Sequence, residues 1–254
     1  MKMIGPWIAV IAAVGLLAGC VTTSSGGMPE PASAESRVKA RLDLARGYIN
    51  ARVWSDAKRA LMKALEIDNR SVEAHVLLAL VYEAEGEPHL AENNYKKALR
   101  LDRSNSQALN NYGTFLFRAG RTEEAIDKRR AVVADPDYRA RPQAYENLGL
   151  AERALGDDVA ARSAFERAIS LNPNQARSSL ELADIAYTDG RIGEALQHYD
   201  RYTTLARQSP RSLCLGMKIS AVTNNPDQVA SYGMALKNLY SDSAEARSCQ
   251  IPNS

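Results

Sequence analysis

Between residues 38 and 240 small and apolar residues recur at helical spacing, in paired runs separated by short polar turns. Ala57, Ala91 and Ala125 stand 34 apart, and twelve residues upstream of each lie Ala45, Ala79 and Gly113. The register then slips by two and resumes with Gly149 and Ala161, followed 34 later by Ala183 and Ala195. Gly86, Gly120, Gly156 and Gly190 fall between the two runs of a unit, where a residue at positive φ is easiest for glycine. Leu61, Tyr95, Phe165 and Tyr199 supply a large residue in the second run, and Ala64, Ala98 and Ala168 follow three further on. The pattern predicts helical hairpins. Small residues at the crossing let the two helices approach, and the large one fills the space beside them. A single hairpin cannot bury its apolar face, so neighbours must stack into one core.

A period of 34 with two helices per unit resembles the tetratricopeptide repeat. The resemblance implies an all-α fold, a right-handed superhelical solenoid of about six units at 38–71, 72–105, 106–141, 142–175, 176–208 and 209–240. The sixth is irregular, with Leu215-Gly216, Ala230 and a longer turn at Asn224-Asn225-Pro226. The third carries Arg129 where a large apolar residue is expected, and its end, Asp135 to Pro142, holds the two extra residues. Either its second helix is rotated, or the Arg129 stem snorkels across the core edge. The extra residues are expected to form a surface loop rather than a hinge.

Upstream, an apolar run from Ile8 to Leu17 follows Lys2 and leads into Leu17-Ala18-Gly19-Cys20. The run is short for a bilayer span, and charge, apolar stretch and small residues together read as a secretory signal over 1–19. Leu-Ala-Gly-Cys resembles the bacterial lipobox, which implies a diacylglycerol on the Cys20 thiol and an acylated amine. Several acyl chains exceed the two signals that stable anchoring needs. Val21-Thr22 stands where an aspartate would retain such a product at the inner membrane, so the expected location is the periplasmic leaflet of the outer membrane. Residues 20–36 are rich in Ser, Thr, Gly and Pro and read as a flexible tether reaching roughly 20–25 Å.

Basic and acidic residues nearly cancel, 32 against 30, which argues against a nucleic-acid partner. No catalytic motif, metal-ligand spacing or phosphate loop is present, so no catalytic or metal residue is assigned. No small-molecule substrate is expected, nor a cofactor beyond the lipid on Cys20. Acid pairs such as Glu123-Glu124 and Asp157-Asp158 open second helices, where the dipole favours them. The basic residues from Arg118 to Arg141 read as a solvated face. Cys214 and Cys249 form an even pair in an exported chain, at two ends that a helical hairpin brings together. A bridge there is expected to pin the tail 241–254, contributing on the order of 3–4 kcal/mol.

Function then rests on surfaces. In tetratricopeptide arrays the first helices line a concave groove that receives protein segments. The positions expected there are Leu44, Tyr48, Val76 and Leu80 as an apolar slot, then Asn110, Asn111 and Phe117, then Tyr145 and Asn147. Asparagine is unfavourable mid-helix. The three asparagines either bond a partner's backbone or bond a neighbouring helix. Gln143 and Glu146 replace the basic residues of a dicarboxylate clamp, so a free C-terminal carboxylate is not the expected ligand.

Several stretches resemble a narrower group. They are Leu109-Asn110-Asn111-Tyr112-Gly113, Glu146-Asn147-Leu148-Gly149-Leu150, Arg211-Ser212-Leu213-Cys214-Leu215-Gly216, and Ala230-Ser231-Tyr232-Gly233-Met234. Together with the lipobox they resemble the outer-membrane lipoproteins of type IV pilus biogenesis that act as pilotins. The resemblance implies a non-catalytic protein that binds the outer-membrane secretin of the pilus and promotes its localisation and multimerisation. The alternative is a tetratricopeptide lipoprotein scaffold for barrel assembly or cell-wall synthesis.

Overall fold

A computed structural model describes residues 33–249. Cys20, the signal segment and most of the tether lie outside the described residues. From Ala34 the chain forms one unit, an all-α solenoid with thirteen helices among the described residues. They pair as α1 (Ala34–Asn50) with α2 (Trp54–Ile67), α3 (Val72–Ala84) with α4 (Pro88–Leu101), and α5 (Ser106–Arg118) with α6 (Thr122–Val133). Then come α7 (Arg141–Ala154) with α8 (Asp158–Leu171), α9 (Ala176–Thr188) with α10 (Ile192–Leu205), and α11 (Pro210–Val222) with α12 (Pro226–Leu239). A short α13 (Ala244–Ser248) closes the described chain. Helix begins earlier than the tether reading allowed, because Ala34-Glu35-Ser36-Arg37 has good helix formers and an acid in the first turn.

The core follows the 34-residue register. Ala45, Ala79 and Ala183 are fully buried at the crossing of each pair, against Ala57, Ala91 and Ala195. A Cβ on Gly149 would lie 2.8 Å from the Phe165 ring, so the crossing between α7 and α8 has no room for a methyl group. The turns between paired helices place Gly86, Gly120, Gly156 and Gly190 at φ between 75° and 81°. The same register falls on Arg52 at φ 59° and Asn224 at φ 54° in the two end units.

Curvature follows from which helices meet across units. α1 contacts α3, α3 contacts α5, α5 contacts α7 and α9 contacts α11, while successive second helices make no comparable contact. First helices therefore crowd on the inner side. The extra residues between α6 and α7 form a loop in which Tyr138 packs into the core and Arg141 Nε donates to the Val133 carbonyl at 3.0 Å. α6 and α7 are the most extensively packed pair across any unit boundary, so this junction is no hinge.

Candidate protein-interaction groove

Taking the small residue at each crossing as origin (Ala45, Ala79, Gly113, Gly149, Ala183), the inner face carries the residues three and two before it and one and four after it. In the first three units this gives a cavity of about 440 Å³ between α1, α3 and α5. Val76, Leu77 and Leu80 form its apolar wall, with Arg46, Gln107 and Asn111 at the rim. Gln107 donates to Asn111 Oδ1 at 3.2 Å, a bond within one helix. Asn110 and Asn147, both half-buried, make no side-chain hydrogen bond among the described residues.

The same face in the later units is closed by its own charges. Arg153 bonds Glu181 and lies 2.7 Å from Asp184, and Arg211 reaches Glu181 at 2.5 Å and Asp184 at 2.9 Å. Burial pushes both carboxyls up, but the hydrogen bonds and charges of the two arginines outweigh it and hold them below the usual range. Glu146, buried, accepts from Ser178 Oγ at 2.8 Å, Ser178 N at 3.1 Å and Gln143 at 2.8 Å, tying α7 to α9. Cys214 and Cys249 are joined by a disulfide with Cα atoms 5.8 Å apart, which holds α13 against α11. Among the described residues no helix is long and apolar enough to cross a membrane, and no group of three or more His, Cys, Asp or Glu could hold a metal ion.

A family model for the tetratricopeptide repeat matches residues 77–144, 129–176 and 147–210. The chain is 40% identical over 241 residues to the type IV pilus assembly protein PilF of Pseudomonas aeruginosa, covering 94% of each. It belongs to the PilF family of tetratricopeptide-repeat proteins. A solved structure of Pseudomonas aeruginosa PilF superposes with a TM-score of 0.81 at 39% identity, covering 84% of this chain and 96% of that one. The structure of PilW, described as a widely conserved type IV pilus biogenesis factor, has the same fold, with TM-score 0.71 at 24% identity over 83% and 96%.

Within this PilF-family chain the expected groove residues separate into two sets. Val76, Leu80 and Asn111 line the cavity, although Val76 is mostly covered by its neighbours, and Asn110, Phe117 and Asn147 occupy inner-face positions by register. Leu44, Tyr48 and Tyr145 do not. Leu44 stands one before the crossing, where Leu78, Tyr112, Leu148 and Leu182 are all buried against the preceding unit. It is 43% exposed because it belongs to the first unit. It shares a small cleft with Tyr48, Ala60 and Lys63 between α1 and α2, apart from the groove. Tyr145 stands in the register of His75 and Leu109, both buried, and packs into the core with the Arg141 guanidinium 5.7 Å from its ring.

The basic stretch is largely solvated, as expected, with Arg118 and Arg130 mostly exposed, and within it several residues make specific pairs. Arg121 bonds Glu92 and Glu124, at 2.8 and 2.6 Å, Arg118 lies 3.5 Å from Glu83, and Arg130 lies 3.2 Å from Glu152. Neither expectation for Arg129 holds. α6 is not rotated, since Ala125 and Val132 remain fully buried. Nor does Arg129 snorkel: it is 3% exposed, with Nε and Nη1 buried and unpartnered and its guanidinium 4.8 Å from the Phe117 ring. The Arg153, Arg211, Glu181 and Asp184 cluster was not anticipated. Its signal was available, since Glu181 lies 28 residues after Arg153 and 30 before Arg211, close to one repeat in each direction.

Proposed function

We propose that this chain is a non-catalytic scaffold of type IV pilus biogenesis, anchored by lipid on Cys20 to the periplasmic leaflet of the outer membrane. There it binds secretin subunits of the pilus and promotes their localisation and multimerisation. The observation that carries the reading is the 40% identity to a type IV pilus assembly protein over 94% of both chains, which includes the groove-bearing units. The groove supports it physically: an apolar wall beside unpartnered amides suits an extended or helical protein segment, whose backbone the amides can bond. A lipid anchor would add avidity by holding partner and membrane together.

The test is deletion of the chain followed by membrane fractionation and an unheated gel. Secretin multimers in the outer membrane are expected to vanish while monomer persists elsewhere. Cys20→Ser is expected to give the same loss with the helical part intact. Unchanged multimers in the deletion strain would overturn the reading.

A further inference from the structure

We propose that Arg129 is a built carboxylate receptor beneath the groove, which takes an Asp or Glu side chain of the bound protein segment. Equivalent positions in neighbouring units carry the argument. Arg129 stands in the register of Tyr95, whose hydroxyl donates to Glu83 at 2.5 Å. Glu83 lies on the inner face, four after the crossing of its unit. In the next unit that position is Phe117. Where unit two supplies both donor and carboxylate, unit three supplies the donor and leaves the carboxylate out.

The consequences are visible in the packing. Nε and Nη1 of Arg129 are the only buried side-chain polar atoms without a partner among the described residues. Glu83 on α3 is committed to Tyr95 and Arg118, and Glu152 on α7 to Arg130. The Phe117 ring meets the guanidinium as a cation–π partner, but that contact leaves Nε and Nη1 without an acceptor. Burial lowers the Arg129 pKa to about 10, so the side chain is still charged at neutral pH. Space for it is reserved: a Cβ on Gly113 would lie 3.3 Å from Arg129 Cγ. A buried charge with no counter-charge is strongly unfavourable. An incoming carboxylate relieves that, while Asn110 and Asn147 on the same face can hold the adjoining backbone.

The inference rests on the reading that the groove holds a protein segment, but its test does not need the secretin. Thermal unfolding of the full chain is followed in glutarate and in sodium chloride of equal ionic strength. A ligand bound only by the folded state raises the unfolding temperature. Wild type is expected to gain a few degrees, saturably, with glutarate near ten times its dissociation constant. Arg129→Met should fold at least as well, since it removes the unpaired charge, and should show no glutarate gain. Phe117→Glu, which restores the missing carboxylate from within, should unfold at a higher temperature and also lose the response. A wild-type gain no larger than that of Arg129→Met overturns the receptor and leaves the pilus reading standing. Loss of the pilus role with the glutarate response intact would fail the other way.

Discussion

The inner face of this solenoid is made twice, to opposite effect. In units two and three it carries Leu77, Leu80 and Asn111 along a cavity, with Asn110 in the same register and Phe117 against an unpaired guanidinium. In units four to six it presents Arg153, Glu181, Asp184 and Arg211, each satisfied by the others. Hydrogen-bonding capacity that is spent within the chain stabilises the chain. Capacity left over is available to something else. The earlier units thus have the character of a recognition surface and the later ones that of a clasp.

On that division the largest losses of stability come from the later units. Reducing or replacing the Cys214–Cys249 bridge, as in Cys214→Ser, frees a loop closed over a separation of 35 residues. Chain-entropy reasoning puts the effect on the order of 3–4 kcal/mol. Hydrogen exchange should speed up first in α11 to α13, with α3 to α6 little changed. Uniform acceleration along the whole array would break the comparison.

Next comes the charge cluster. Glu181→Gln leaves Arg153 and Arg211 short of a partner around a side chain that is 3% exposed, at a cost of about 3 kcal/mol. The pH dependence has a definite sign. Glu181 and Asp184 are held below their unfolded values, which lie at about 4.3 and 3.9. Their contribution is therefore complete above those values and is lost as pH falls through the lower folded ones. Unfolding followed by circular dichroism should find a chain lacking Asp184 less stable than wild type at neutral pH, and the gap should close as pH falls through the folded values; a gap that stays constant into acid would mean that the carboxylate's charge contributes nothing.

The fold was legible because the repeat writes its core on the sequence: small residue, large residue and turn glycine recur at one spacing, and each has a single packing role. The groove was legible only in part. Val76, Leu80 and Asn111 could be placed by counting from the crossing residue, and so could the error over Leu44, whose register belongs to the core. Leu44 looks like a binding residue because it is apolar in a first helix, yet its exposure reflects its place in the end unit. Arg129 shows the other limit. Its sequence flags a departure, but whether the guanidinium reaches solvent depends on Gly113 and Phe117 packing around it.

On the recognition side the expected effects are in binding rather than folding. Asn110→Ala and Asn147→Ala remove amides that hold nothing within the described chain, so unfolding should move by less than about 0.5 kcal/mol, with a slight gain from helix propensity. Affinity for a groove ligand should fall by about 1 kcal/mol each, roughly fivefold, if each makes one hydrogen bond to it. Titration calorimetry with purified secretin periplasmic segment checks this. A marked loss of stability in either variant would mean that the amides are structural after all.

The smallest effect compares the two ends of the array. Four turns place glycine at positive φ, while Arg52 holds the position at φ 59° in the first unit and Asn224 at φ 54° in the last. An L-residue with a Cβ is unfavourable in that region by about 1–2 kcal/mol, though asparagine is tolerated. Glycine removes the strain but adds freedom to the unfolded chain. Arg52→Gly should therefore stabilise by about 0.5–1 kcal/mol, a rise of roughly 1–4 °C in unfolding temperature. Asn224→Gly should change it by less than half as much. Equal gains at both ends would mean that backbone strain, not the side chain occupying the turn, governs these positions. No gain at Arg52 would mean that its side chain stabilises the uncovered first unit enough to offset the strain.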